Sequence, residues 1–495
     1  MKFFYHYTVD YMLILQKIIN QFRNKFALLL LVCIWSVSLT NAQNTIISTD
    51  FNNPWQTNNS LQRVNKKYHH HLEIDNQNSK QIIQGFGASF NELGWVAMSV
   101  LSEDKRNQVM KDVFDTVEGC KFNICRMSIG ANDFALNYYS LNDHNKDFNM
   151  DSFSIERDKE KLIPYIKTAL KYNPMLQVWA SPWTPPTWMK ENMHFGGRVI
   201  NNNWGQYQGG NQDDIYYANK IKAEEKYLEA YALYFKKFID AYKKNNIPVY
   251  AIHPQNEVFA NQLFPSCTWE AEVLAKFMAD YLIPTINKHH PEIEVWLGTI
   301  NSDSIEYVNK VLNYKNLRHK VAGVGVQWAG LRLMDTLYAL YPELKIMQTE
   351  SECNNGMNEW FTAEHTWDLM HHTFSNGGNA YMYWNLALDE IGLSTWMWRQ
   401  NSMISINKFS KEVVYNPEFY LMKHFSYFIE RGATYIATET VDNALVFQNP
   451  DGTYVIIMVN KEKQSKVISL DIKGDMYAAT LEPKTFNTIR IEKTE

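Results

Sequence analysis

The sequence predicts an α/β protein: a (β/α)8 TIM barrel with a side β-sandwich built from segments at both ends of the chain. Three observations lead there. Eight short apolar runs of strand character recur between residues 81 and 384, and segments of helical period fall between them. After about residue 419 the pattern turns to short β-branched runs separated by turn signals. Strands alternating with helices argue for a parallel sheet, and eight such units argue for its closure into a barrel.

Residues 1–42 are expected to be a signal peptide. Lys17, Arg23 and Lys25 precede the apolar run 26–35, and Thr40-Asn41-Ala42 offers a cleavage site before Gln43. The run is too short to span a bilayer comfortably. Cys33 lacks the small residue before it that lipidation needs, and the polar stretch ahead of the run leaves Met1 and Met12 both open as the start. The expectation is an exported soluble protein, periplasmic or extracellular.

Residues 43–80 hold strand signals in Ile46-Ile47 and in the alternation of His70, Leu72 and Ile74. They are too few to form a core and are expected to join the C-terminal sandwich.

The barrel is placed at 81–418, with strands at 81–86, 122–126, 176–180, 249–257, 294–298, 323–328, 344–350 and 380–384. Helices are expected at 103–117, 158–170, 225–243, 269–287 and 363–375. The clearest is 225–243, where Tyr227, Leu228, Tyr231, Phe235, Phe238, Ile239 and Tyr242 return to one face. A stretch rich in Asn, Gly and Gln at 196–214 reads as a long loop after strand three. The C-terminal sandwich is placed at 419–495, with strands at 444–448, 453–460, 466–472, 477–481 and 488–491 and a hairpin signal in Asn449-Pro450-Asp451-Gly452. No helical period is read in that region.

Composition excludes several functions. The 495 residues exceed a bare barrel of about 250, which leaves room for the second domain. The formal net charge is −5 and the charges are mixed, so no basic stripe points to nucleic acid. Outside the leader only Cys120, Cys125, Cys267 and Cys353 remain, too few for a disulfide scaffold, and Cys125 reads as a buried thiol in a strand. His69, His70 and His71 are adjacent strand residues on alternating faces, and no cysteine or histidine has zinc-site spacing. No metal or other cofactor is expected. Aromatics are 14% of the chain; most belong to the core, and those beside strand ends are candidates to stack on sugars.

The chemistry rests on two carboxyls. Glu257 follows strand four and Glu350 follows strand seven. Residues just past the carboxyl ends of barrel strands line the active site, and strands four and seven face each other across the mouth. A carboxyl pair there is what glycosidic cleavage through an oxocarbenium-like transition state requires. Asn256, next to Glu257, supplies an amide suited to a sugar hydroxyl.

Further motifs occur in order: Gly85-Phe86-Gly87-Ala88, Arg126-Met127-Ser128-Ile129-Gly130, Ser181-Pro182-Trp183-Thr184-Pro185-Pro186-Thr187-Trp188-Met189-Lys190, Asn256-Glu257, Thr349-Glu350 and Tyr383-Trp384-Asn385-Leu386-Ala387-Leu388. From about residue 45 to the end, the chain resembles glycosyl hydrolase family 30, the glucosylceramidase-like retaining β-glycosidases. The resemblance implies Glu257 as acid/base and Glu350 as nucleophile. Glu352 has the same strand parity as Glu350 and is its rival; Glu350 is preferred because it directly ends the apolar run. By the same resemblance Asn256 donates to the 2-hydroxyl, Asp133 accepts from distal hydroxyls, Trp183 and Trp384 wall the pocket, and Arg126 lies beneath the nucleophile. The chain departs from the animal glucosylceramidases after strand six, where Gln327-Trp328-Ala329 replaces His-Trp-Tyr; Gln327 and Trp328 are therefore expected in a wall that sets specificity. Residues 395–401 are expected near the site.

The function expected is an exported retaining β-glycoside hydrolase acting on β-1,6-glucan or glucooligosaccharides. The partner is a carbohydrate β-glucoside, with no nucleic acid and no stable membrane insertion. A glucosylceramide-like glycolipid is the alternative substrate, and a non-catalytic carbohydrate-binding barrel the alternative class. Exo or endo action, xylosidase or fucosidase activity and oligomeric state are left open.

Overall fold

The computed structural model describes residues 44–197, 218–438 and 443–492. The expected leader and most of the 196–214 loop lie outside the described residues. Among the described residues, no helix is long and apolar enough to cross a membrane.

Eight parallel strands close the barrel: β1 (Gly85–Phe90), β2 (Ile124–Ser128), β3 (Gln177–Ser181), β4 (Val249–Ile252), β5 (Glu294–Val295 and Leu297–Ile300), β6 (Gly323–Val326), β7 (Lys345–Gln348) and β8 (Ala380–Asn385). The hydrogen-bonded order runs from the first half of β5 through β4, β3, β2, β1, β8, β7 and β6 to the second half of β5. The interruption falls at Trp296, which is fully buried. Side chains alternate between the barrel interior and the helix layer. Ile124, Trp179, Ala251, Trp296, Met347, Ala380 and Met382 fill the interior, whereas Cys125 packs into the surrounding core. Burial pushes the Cys125 thiol up to about 12, so it stays protonated. Arg126, two residues after Ile124, shares its parity and enters the interior one layer nearer the mouth.

The helix Glu225–Lys244 forms as its period requires. Tyr227, Leu228, Tyr231, Phe235, Phe238, Ile239 and Tyr242 are all buried against the barrel.

Two elements differ from the sequence reading. The expected first strand, 81–86, straddles two structures. Ser79–Ile82 is a sandwich strand paired with Thr434–Ile436, and the barrel strand begins only at Gly85. Gly85 has φ +152°, and a Cβ there would sit 1.9 Å from Asn123 Oδ1, so a residue without a side chain is needed where the chain passes from sheet to barrel. The boundary at 418/419 cuts the helix Pro417–Ser426, whose Phe425 stacks with Phe374 of the helix Trp360–Ser375. Pro417–Ser426 packs on both the barrel strand Gly85–Phe90 and the sandwich strand Thr485–Ile491, and sandwich strands resume at Thr434.

The sandwich has a seven-stranded sheet and a four-stranded sheet. Thr45–Thr49 pairs with Thr485–Ile491, and His70–Ile74 runs parallel to Lys466–Ile472, so segments from both ends of the fold build both sheets. Val446, Ile456 and Ile489 face Leu72, Ile468 and Leu470 in the sandwich core. Leu445, Phe447, Val455 and Ile457 point the other way and join the barrel's core. The larger sheet is therefore buried on both faces, which is why Tyr454–Asn460 reads as an unbroken apolar run rather than an alternating one.

Candidate active site

The carboxyl ends of the strands surround a cavity of about 390 Å3 lined by Asp133, Trp183, Asn256, Glu257, Trp328 and Glu350. Loop residues Gln262, Phe264, Asn301, Trp398 and Gln400 complete it. The volume suits a small ligand. A larger cavity of about 470 Å3 lies across the 258–261 segment, over Trp269 and Tyr307, and contains neither carboxyl.

Glu257 and Trp328 take left-handed backbone conformations, with φ 51° and 52°. Such strain in non-glycine residues costs about 1–3 kcal/mol and concentrates at functional sites. At Glu257 the turn is held by its N–H donating to Thr299 Oγ1 at 2.9 Å. The neighbouring Asn256 N–H donates to Pro182 O at 2.7 Å.

Beneath the cavity lies Arg126, wholly buried. Its guanidinium donates to Glu350 Oε2 at 2.9 Å, to Thr349 O at 3.2 Å, to Ser181 Oγ at 2.9 Å and to Asn256 Oδ1 at 2.6 Å. Its flanks rest on aromatic rings, with Trp183 at 4.4 Å and Trp179 at 4.8 Å from the ring centroids. Asn256 Oδ1 also accepts from Thr299 and Gln327, which leaves its NH2 as the end available to a ligand.

Gln327 is the second hub. Its Nε2 donates towards Glu257 Oε1 at 3.0 Å and Glu350 Oε2 at 3.2 Å. These two carboxylate oxygens are therefore at most about 6.2 Å apart, the sum of the two contacts. Gln327 Oε1 accepts from Thr349 Oγ1 at 2.7 Å, which fixes the amide with its nitrogen towards the carboxyls.

One cation thus faces three buried carboxyls. Burial is the main influence on each. It raises Glu350 well above the usual carboxylate range, with Arg126 opposing and Asp133 and Glu257 reinforcing. It raises Glu257, with the Gln327 hydrogen bond and Arg126 opposing. It lifts Asp133 to about 7, helped by the Glu257 charge. Burial also lowers Arg126 to about 10, which leaves it charged at neutral pH. A single positive charge cannot offset three carboxylates, so the site holds protons. Contact ranks them: of the three carboxyls Glu350 touches the guanidinium at 2.9 Å, so the ion pair favours its charged form, while Glu257 and Asp133 lack that contact.

Asp133 Oδ1 is a buried polar atom without a hydrogen-bond partner, and the Trp384 indole faces the Asp133 carboxyl, where its hydrogen bond favours the charged form. An unfilled carboxyl oxygen at a cavity wall is what a sugar hydroxyl satisfies. The loop carrying Asp133 is anchored by Glu92, which accepts from the Leu136 N–H at 2.8 Å and pairs with Arg157 at 2.9 Å. Trp384 stacks behind Trp183, with ring centroids 5.3 Å apart.

Of the residues expected at the site, Asp133, Trp183, Asn256, Glu257, Trp328 and Glu350 line the cavity. Arg126, Gln327 and Trp384 are fully buried behind that lining and position it rather than forming its surface. Glu352 is held elsewhere: the chain turns after Gln348, and Glu352 pairs with His365 of a flanking helix at 3.1 Å. In the stretch 395–401, Trp398 and Gln400 reach the cavity. Gln262, Phe264 and Asn301 were not singled out from the sequence; they sit in loops with no periodicity. Among the described residues, no group of three or more His, Cys, Asp or Glu could hold a metal ion.

The glycosyl hydrolase family 30 TIM-barrel domain model matches residues 83–429, and the family's β-sandwich domain model matches 432–489. The chain is 28% identical to putative glucosylceramidase 1 of Caenorhabditis elegans over 417 residues, 79% of this chain and 76% of that protein. It is 25% identical to endo-1,6-beta-D-glucanase neg1 of Aspergillus fumigatus over 431 residues, 81% of this chain and 84% of that protein. The solved structure of the endo-beta1,6-glucanase BT3312 superimposes with a TM-score of 0.76 at 22% identity, covering 91% of this chain and 99% of that one.

Proposed function

The chain belongs to glycosyl hydrolase family 30 and is a glycosidase of that family, and from that premise we propose that it is a retaining β-glucoside hydrolase with Glu257 as acid/base and Glu350 as nucleophile. The observation that carries this reading is the bridge of one Gln327 nitrogen between the two carboxyls. A single amide nitrogen reaching both holds their facing oxygens within about 6.2 Å, an approach that suits the about 5–5.5 Å separation of a retaining pair.

In the first step Glu350 attacks the anomeric carbon while Glu257 gives its proton to the departing glycosidic oxygen. The bond to the leaving group breaks and an ester to Glu350 forms. In the second, Glu257, now a carboxylate, takes a proton from water as that water attacks the anomeric carbon and the ester breaks. The buried ion pair with Arg126 supports an anionic Glu350, and burial supports a protonated Glu257. Asn256 NH2 and Asp133 are placed to hold sugar hydroxyls, and Trp183 offers a face to the ring.

The substrate we propose is a β-1,6-linked glucan or glucooligosaccharide. The lining supports this with uncharged hydrogen-bonding groups, Gln262, Asn301 and Gln400, beside the aromatic surfaces of Phe264, Trp328 and Trp398. Similarity to endo-1,6-glucanases supports it as well. Glucosylceramide is the second reading, favoured by the similarity to putative glucosylceramidases. Export remains part of the proposal, resting on the leader-like residues 1–42. Product analysis on a panel of β-1,2-, 1,3-, 1,4- and 1,6-linked glucooligosaccharides beside glucosylceramide tests the assignment. Turnover of glucosylceramide alone would reverse it.

A further inference from the structure

We propose that Gln327 is a positioning residue that gives its side-chain N–H to whichever of Glu350 and Glu257 carries the negative charge in each half of the reaction. This inference rests on the assignment of those two residues made above.

The geometry is that of a contested donor. Gln327 Nε2 carries two hydrogens and faces three acceptors: Glu257 Oε1 at 3.0 Å, Glu350 Oε2 at 3.2 Å and Asn256 Oδ1 at 3.3 Å. The amide cannot turn over, because Oε1 is held by Thr349 Oγ1 and Arg126 and because the reverse orientation would set an oxygen against two carboxyls. A shared N–H goes to the stronger acceptor, and a charged oxygen is stronger than a neutral one. Before reaction that is Glu350. Once Glu350 is an ester its charge is gone, Glu257 has given up its proton, and the same amide nitrogen lies 3.0 Å from the new carboxylate. No heavy atom need move. An amide also keeps both of its N–H donors at every working pH, whereas a histidine loses one on deprotonation.

Other charged and titratable groups around the pair cannot substitute. Arg126 hydrogen-bonds Glu350, not Glu257. Asp133 is an acceptor when ionised. His253 lies beneath Arg126 and burial keeps it neutral, and the Cys353 thiol is pushed up to about 12. The Trp328 indole faces Glu257 alone. Among the described residues, Gln327 is the group that hydrogen-bonds both carboxyls.

The test compares wild type with Gln327→Met, which keeps the volume and loses the donor, and Gln327→Asn, which draws the amide back by one methylene. A donated hydrogen bond favours the charged form, so its loss raises both carboxyls. Both limbs of the kcat/KM–pH bell should move up by about one unit, the scale of one hydrogen bond to a charged group. With an aryl glucoside whose leaving group needs no protonation, the limb of the kcat–pH profile that reports Glu257 in the glycosyl-enzyme should move up by the same amount. If Gln327→Met does not fold by circular dichroism, Gln327→Asn decides alone. A lower bell with unmoved limbs, or movement of one limb only, overturns the proposal. Failure of the underlying assignment is separately visible, as full activity in Glu257→Gln or Glu350→Gln.

Discussion

Arg126 and Glu350 form an ion pair of 2.9 Å in which the guanidinium has no solvent exposure and the carboxylate side chain retains 6%. A buried pair of this kind is held for placement rather than stability, because desolvation consumes most of the Coulomb gain while loss of one partner costs about 3–5 kcal/mol. Here it fixes a carboxylate at the cavity floor and opposes the burial that favours its neutral form.

Glu257→Gln and Glu350→Gln are each expected to reduce hydrolysis of natural substrate by about 10^3-fold or more while leaving the fold intact, since each loses a group that changes protonation or bonding during reaction. Glu352→Gln should retain activity, because Glu352 is engaged by His365 away from the cavity. Steady-state rates with circular dichroism check both. Activity in a folded Glu350→Gln together with loss in Glu352→Gln would move the nucleophile.

Hydrolysis should proceed with net retention. Proton NMR of the first-formed sugar from a β-glucoside should show the β-anomer, with the α-anomer appearing only on mutarotation. An initial α-anomer would mean inversion and remove the covalent role of Glu350.

Asp133→Asn should raise KM about tenfold or more, through loss of a hydrogen bond from substrate to a charged or charge-sharing acceptor. It should also shift the pH profile in a defined direction. Asp133 is one of the groups that raise Glu350, so its removal lowers Glu350 and carries the acidic limb of kcat/KM to lower pH. The coupled carboxyls titrate as a set, so the limb belongs to the group rather than to one residue.

His424 gives a stability test remote from the cavity. It is fully buried, with Nδ1 2.8 Å from Thr488 Oγ1 and Nε2 2.9 Å from Thr49 Oγ1, and burial drives it down to about 3. An unfolded histidine titrates near 6.5. Between those values the unfolded chain binds the extra proton, so this contribution is present above pH about 6.5 and is lost as pH falls towards about 3. The difference in melting temperature between wild type and His424→Gln should therefore narrow or reverse from pH 7 to pH 4. A constant difference would show that His424 is not buried neutral.

The barrel was legible because its strands are apolar on both faces and end at polar residues, so 249–257 and 344–350 announced both a strand and a carboxyl. The first strand was misplaced because only Ile83 and Gln84 separate Ser79–Ile82 from Gly85–Phe90, and no turn residue marks the change of sheet. Pro417–Ser426 was missed for a different reason. Phe419, Leu421, Met422, His424 and Phe425 are all buried, so the helix shows little polar face and little period. The hub formed by Gln327 was expected only as part of a wall. Its contacts with Glu257, Glu350 and Thr349 join the ends of β4, β6 and β7, which are far apart in sequence, and an uncharged amide carries no local sign of that.

Ser48 and Asn487 share a hydrogen bond of 2.7 Å although they stand 439 positions apart in the chain. Thr45–Thr49 leaves the ribosome first among the described strands, and its partner Thr485–Ile491 leaves last. Until then Thr45–Thr49 has only its local partner Gln56–Asn58, and its other edge stays open to pairing with other chains. Once both strands are in place they clasp the two ends of the fold together in one sheet. A cut on either side of the clasp would free one of its halves, so resistance to proteases should be gained in one late step of maturation rather than strand by strand.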